Sequence, residues 1–117
     1  MVEQSQGALD ASLLNPTRLS IVSVLAASRW AEFAFVRDAV KLSDSALSKQ
    51  ISALDKLGYV EAEKGYVGKR PRTWLNLTRA GRDALAGHVA ALQQIAAHAG
   101  SQGGEDRGEG PRPGTRD

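Results

Sequence analysis

The stretch from Val36 to Leu57 carries two helical patterns that meet at a tight connection around Lys41-Leu42-Ser43. In the second pattern Leu47, Ile51, Leu54 and Leu57 recur at steps of four, three and three, which places them on one helix face. The opposite face carries Asp44, Ser45, Ser48, Lys49, Ser52 and Lys56, which are short polar groups and amines. Ser43 is placed to cap this helix, its hydroxyl accepting an amide of the first turn. Gly58 sits just past the end, where a left-handed residue closes a helix at low cost. A short helix, a tight turn and a second helix with a slim polar outer face have the geometry that enters a DNA major groove. The same pattern also fits an ordinary helical hairpin inside a core.

The rest of the chain arranges itself around that pair. Residues 1–8 read as a flexible lead, and Leu9, Leu13 and Leu14 predict a short amphipathic helix. Asn15-Pro16 marks the next start, Asn as cap and Pro at the first helical position. That helix is expected to reach Ala27, with Leu19, Ile21, Val22, Val24 and Leu25 mostly buried. Ser28-Arg29-Trp30 ends it, and Ala31-Glu32-Phe33 suits a very short strand. The first helix of the pair, Ala34 to Lys41, turns inward through Phe35, Val36, Val40 and Leu42.

After Gly58 the period changes. Tyr59 to Lys64 partly alternates, Gly65 to Arg72 has turn composition, and Thr73 to Leu77 alternates again. The expectation is a β-hairpin with a long basic tip. Thr78 then caps a last helix, about 78–99, whose Leu85, Val89, Leu92, Ala96 and Ala99 form a narrow seam of the coiled-coil type. Residues 100–117 are rich in Gly, Pro and charge without periodicity and are expected to be disordered. Fold class follows: mainly α with a small β-hairpin, one domain over 9–99.

Composition sharpens this in three places. The net charge over 117 residues is only +2, and without the tail it becomes +3, so charge alone does not argue for a nucleic-acid partner. Local clustering does more: Lys64, Lys69, Arg70 and Arg72 fall within nine residues, beside Pro71, which stiffens the loop, and Thr73. Such a tip suits phosphates or a minor groove, and equally a solvated basic turn. The absence of cysteine excludes disulfides, thiolate metal sites and cysteine nucleophiles. No apolar run approaches the ~20 residues of a membrane span, and the N-terminus lacks a signal peptide's pattern, so a cytoplasmic protein is expected.

The order helix, helix, short strand, helix, helix, hairpin, helix resembles the winged helix-turn-helix transcriptional regulators of the MarR/ArsR type, in particular small members with a single long C-terminal helix. The matching residues are Leu14-Asn-Pro-Thr-Arg-Leu-Ser-Ile-Val-Ser-Val-Leu25, then Leu42 to Val60, ending Leu-Gly-Tyr-Val, then Gly68-Lys-Arg-Pro-Arg-Thr-Trp-Leu-Asn-Leu-Thr-Arg-Ala-Gly81. The resemblance covers roughly Leu9 to Ala97. It implies a dimeric repressor or activator of transcription, with a recognition helix at 44–57 and a basic wing at 64–72. Carried onto this chain, the base-facing candidates are Ser45, Ser48, Lys49 and Ser52, with Ala46 able to meet a thymine methyl. Ser43 and Asp44 lie at the helix N-terminus, where amides favour phosphate. Asp44 could accept from cytosine, or could simply sit well at the positive helix end. The wing candidates are Lys64, Lys69, Arg70, Arg72 and Thr73. Full-length MarR proteins carry more helix at both ends, and the Cys or His/Asp clusters of metal-sensing ArsR members are missing, so the resemblance names no effector.

A last helix of about twenty residues spans ~30 Å, more than a domain this small needs. Its Leu85, Val89, Leu92 and Ile95 lack partners within one chain, and pairing with a second copy, aided by Leu9 and Leu13, would bury them. Packing back onto Leu14 and Leu19 is the alternative. A two-fold dimer implies a pseudopalindromic operator in double-stranded DNA. Other signals are weaker. His88 and His98 stand some 80° apart on a helix, with no third ligand nearby. Gly65-Tyr-Val-Gly68 joins strands, whereas the KH-domain loop joins helices, and Gly68-Lys69 lacks the spacing of a phosphate loop. Trp30 and Trp74 could line an effector pocket or serve the core. No Ser, His and acid set indicates catalysis, so neither an enzyme nor a cofactor or metal is expected. A protein-docking winged helix is the competing functional class.

Overall fold

The computed structural model describes residues 8–109, with side chains through Gly100. A 3-10 turn at Ala11–Leu14 leads into α1, Pro16–Ala26, then β1, Ala31–Glu32, and the helix pair α2, Phe33–Val40, and α3, Asp44–Lys56. A hairpin of β2, Val60–Val67, and β3, Arg70–Leu77, is followed by α4, Arg79–Glu109. The sheet order is β1-β3-β2, antiparallel throughout. No helix among the described residues is long and apolar enough to cross a membrane.

Local chemistry explains the boundaries. Asn15 Oδ1 accepts from the Arg18 amide at 3.0 Å, and Pro16 opens α1. Lys41 ends α2 in the left-handed region at φ 58°, returning the amides of Lys41 and Leu42 to the carbonyls of Asp38 and Arg37. Gly58, at φ 79°, does the same for α3: its amide bonds Asp55 and that of Tyr59 bonds Leu54. The core these elements enclose is Leu13, Ile21, Val22, Leu25, Val36, Leu47, Ile51, Leu54, Val60, Leu75 and Leu77.

Several expectations need correction. The hairpin strands are longer than the composition suggests, and the turn shrinks to Gly68-Lys69, Gly68 taking φ 65°. Gly65 belongs to β2 because the Trp74 ring lies over it; a Cβ there would stand 3.0 Å from the ring. Phe35 faces outward with 58% of its surface exposed, since Val36 and Val40 define the inward stripe of α2 and Phe35 lies ~100° round from it. Leu57 is exposed too, because the chain leaves the helix at that residue. Leu13, expected at a subunit seam, is fully buried in the core of its own chain. The short helix before Asn15 is a single 3-10 turn, capped by Asp10 Oδ1, which accepts from Ser12 at 2.8 Å and Leu13 at 3.3 Å. α4 runs ten residues past Ala99, through a segment expected to be disordered, to Glu109. Residues 1–7 and 110–117 lie outside the described residues.

One junction ties these parts together. The Thr78 amide bonds the Tyr59 carbonyl at 2.9 Å, and the Thr78 hydroxyl bonds the Gly58 carbonyl at 2.6 Å. Gly81 allows α4 to pass against this point, because a Cβ there would run into the Tyr59 carbonyl oxygen. The Tyr59 hydroxyl donates to Asp10 Oδ2, and the Asp10 amide donates to Nδ1 of the buried His88 at 2.9 Å. An acceptor at Nδ1 leaves the ring proton on Nε2.

The bond to Asp10, with partial burial, raises the Tyr59 pKa from 10.0 to about 12. The neutral phenol is therefore the stabilised form. Its contribution is complete below pH 10 and is lost as pH rises through about 12. Tyr59→Phe should cost about 1–2 kcal/mol at pH 7, and urea denaturation across pH 7 to about 12 should show the two proteins converging at the alkaline end.

Candidate nucleic-acid interface

The helix α3 is held by one face and offers the other. Ser43 caps it, Oγ accepting from the Ala46 amide at 3.1 Å and approaching the Ser45 hydroxyl at 3.4 Å. Leu47, Ile51 and Leu54 are buried. Ser45, Ser48, Lys49 and Ser52 are all exposed and form a continuous polar stripe, while Ala46 is half-buried at its edge. Gln50 turns sideways, its Oε1 accepting from Arg18 at 3.2 Å. Asp44, at the first turn, is engaged: Arg37 Nη1 lies 2.8 Å from its Oδ1, and Arg37 Nε lies 2.9 Å from Asp38 Oδ1. These bonds, Asp38 first and Asp44 second, raise the Arg37 pKa above its ordinary value.

The hairpin divides its cations between two faces. Lys64 pairs with Thr73 and shares the face of buried Val60 and Leu75, because alternate strand residues face the same way. That face meets α3 across a hollow lined by Ser48, Ser52, Asp55, Lys64 and Thr73. Arg70 and Arg72 fall on the opposite face, paired with Val67 and Gly65. Arg72 Nε reaches Glu32 at 2.8 Å, so this wing arginine is tied to β1, while Lys69 and Arg70 stand exposed at the tip. The structure thus gathers Ser48, Ser52, Lys64 and Thr73 into one hollow. Lys49 looks instead toward a second hollow shared with Arg18, Ser52 and Lys56.

Of the remaining candidates, Leu85 packs partly against the core, whereas Leu9, Val89, Leu92 and Ile95 are exposed. His88 and Ala91 are the buried positions of the outer part of α4, alternating with that exposed row. Trp74 covers Gly65, and Trp30, held at φ 52°, borders a shallow apolar hollow with Val24, Phe35 and Ala39. Among the described residues no group of three His, Cys, Asp or Glu side chains could hold a metal. Arg37, Glu32 and Arg18 are absent from the candidates read from the sequence. Their roles arise from contacts between elements, and only the spacing of Arg37 and Asp44 across the turn signals one of them.

A family model described as a winged helix DNA-binding domain matches residues 17–96. The chain belongs to that family. It is a family of DNA-binding modules and not of enzymes. A transcriptional regulator homologue from Pyrococcus horikoshii OT3 superimposes with a TM-score of 0.71 at 27% identity, over 77% of this chain and 89% of its own. An uncharacterized protein of Methanocaldococcus jannaschii is 26% identical over 78 residues, covering 67% of this chain and 85% of that one. The zinc-responsive MarR family member ZitR of Lactococcus lactis shares the fold, with a TM-score of 0.54 at 20% identity, over 76% of this chain and 60% of ZitR. A mutant of ZitR is known in complex with DNA. In this winged-helix fold the β2–β3 hairpin is the wing.

Proposed function

We propose that this winged-helix protein is a sequence-specific double-stranded DNA-binding regulator of transcription, acting in the cytoplasm as a homodimeric repressor. One observation carries the reading: the exposed stripe Ser45, Ser48, Lys49 and Ser52 on a helix whose other face is fixed in the core. Small polar side chains let the helix backbone approach base edges, and Lys49 is the long donor among them, suited to guanine. Lys64 and Thr73 on the near face of the wing, and Lys69 and Arg70 at its tip, are suited to the flanking backbone. The family membership and the regulator homologue of Pyrococcus horikoshii support the same reading.

The homodimer rests on α4. Val89, Leu92 and Ile95 form an exposed apolar row, with Leu9 a further exposed apolar side chain near the start of the fold. Two such helices packed together would present paired recognition helices to a pseudopalindromic operator. A small-molecule effector is compatible with this arrangement, and its chemistry is left open. The second reading, a winged helix that docks protein, is favoured by the exposed Trp30 and Phe35 on the side of α2.

Selection of bound duplexes from a randomised pool tests the DNA reading. The wild-type chain should enrich a two-fold symmetric site, and Lys49→Ala should lose ~1–3 kcal/mol of preference at one base pair per half-site. Enrichment of no sequence would favour the protein-docking reading. Leu92→Glu should shift sedimentation from dimer to monomer and weaken operator binding at least tenfold, about 1.4 kcal/mol, while leaving the thermal unfolding of the domain close to wild type.

A further inference from the structure

Between the wing and α2, reaching Asp44 at the first turn of α3, lies a cleft of about 380 Å³, whose lining includes Arg37, Asp44, Glu32, Arg72, Lys64 and Tyr66. Its two arginines are both occupied by acids. Arg37 holds Asp44 at 2.8 Å and Arg72 holds Glu32 at 2.8 Å, with the side chains of Arg37 and Arg72 about one-third exposed. Exposed and half-exposed pairs contribute little to folding and weaken with salt, so a stronger anion can displace the carboxylates. Phosphate is such an anion, because a guanidinium grips it through two parallel N–H bonds. Arg37 uses Nε and Nη1 on its two acids and Arg72 uses Nε on Glu32. Each guanidinium carries five N–H donors, so an edge remains for a phosphate to engage before the acid leaves.

The geometry points to Arg37 as a phosphate-positioning residue, acting with Arg72 as a clamp on one DNA backbone and kept in place by Asp44 and Glu32 until that backbone enters. The assignment rests on the DNA-binding reading and deepens it. Arg37 lies on α2, outside both the recognition helix and the wing, yet its guanidinium spans the turn to the start of the recognition helix. The acids serve a second purpose. They oppose any phosphate that approaches without displacing them, so they lower affinity for DNA that does not fit the cleft. This also accounts for a reader of DNA with a net charge of only +2: the cations of the cleft are answered by carboxylates until DNA replaces them.

The test is fluorescence anisotropy of the full chain on a selected cognate duplex and on a random duplex, across a salt series. Glu32→Gln and Asp44→Asn should each tighten binding to random DNA about threefold to tenfold and so lower the ratio of cognate to random affinity. Arg37→Ala should weaken binding to both duplexes and reduce the salt slope by about one. Arg37→Lys should restore the slope without restoring full affinity, since lysine supplies the charge but not the fork. Thermal melting of each variant guards against loss of fold, and the carboxylate variants read a gain of binding that misfolding would not produce. If wild type binds and the carboxylate variants and Arg37→Ala leave affinity and slope unchanged, the clamp is wrong and the DNA reading stands. If wild type binds neither duplex at low salt, both fall together.

Discussion

The rest of the structure depends on the junction at Gly58-Tyr59. Four elements converge there. The helix α3 ends on it through the paired bonds of Gly58 to Asp55 and Tyr59 to Leu54. The wing starts from it, and α4 is locked against it by Thr78 and by the space that Gly81 leaves. The Tyr59 side chain then carries the constraint to Asp10, whose amide is held by His88 on α4. A recognition helix can discriminate bases only if its roll and depth are fixed, because such contacts need placement to within about 0.5 Å. For α3 in its proposed role the junction would set them: the helix end, the wing and the helix proposed to join two subunits cannot move independently without breaking polar bonds, of which those of Tyr59 to Asp10 and of Asp10 to His88 are part-buried.

The same junction links the proposed subunit seam to the proposed DNA-facing surface. His88 and Ala91 face the domain while Val89, Leu92 and Ile95 face away, so α4 is part of the fold and also carries the row proposed to meet a second copy. A dimer formed along that row would be transmitted to α3 through the Asp10, Tyr59 and Gly81 contacts. Electrostatics follow the same economy. The chain carries little net charge, and Arg37 and Arg72 beside the proposed interface are paired with Asp38, Asp44 and Glu32. In the proposed DNA complex, long-range attraction would therefore be modest, and short-range fit to a particular backbone path would decide binding.

Much of this is legible in the residues. The step of Leu47, Ile51 and Leu54 places the polar stripe of α3 correctly, and Ser43 and Gly58 mark the helix ends because their chemistry is local. The short strand at Ala31-Glu32 is also readable, although its partner Trp74-Leu75 is not. What escapes the sequence is non-local. Leu13 looks like any apolar residue near an end, and only tertiary packing shows it at the centre of the core. Gly65 signals a turn, but in fact accommodates Trp74 from the opposite strand. The division of Lys64 and Thr73 from Arg70 and Arg72 depends on hairpin register, which shifts every side chain by one face per residue and which turn composition does not give. His88 reads along the chain only as a candidate ligand, because nothing there shows that it meets the Asp10 amide from 78 residues away.

A rigidly held polar stripe that reads a specific duplex should show itself most plainly in one comparison. The affinity of the full chain for a fragment from its own upstream region is measured against random DNA, across a salt series. Saturable binding that beats random DNA by ~10³ or more at physiological salt is expected. Equal, weak binding to both duplexes at every salt concentration would contradict it, and would return the exposed side of α2 to first place as the functional surface.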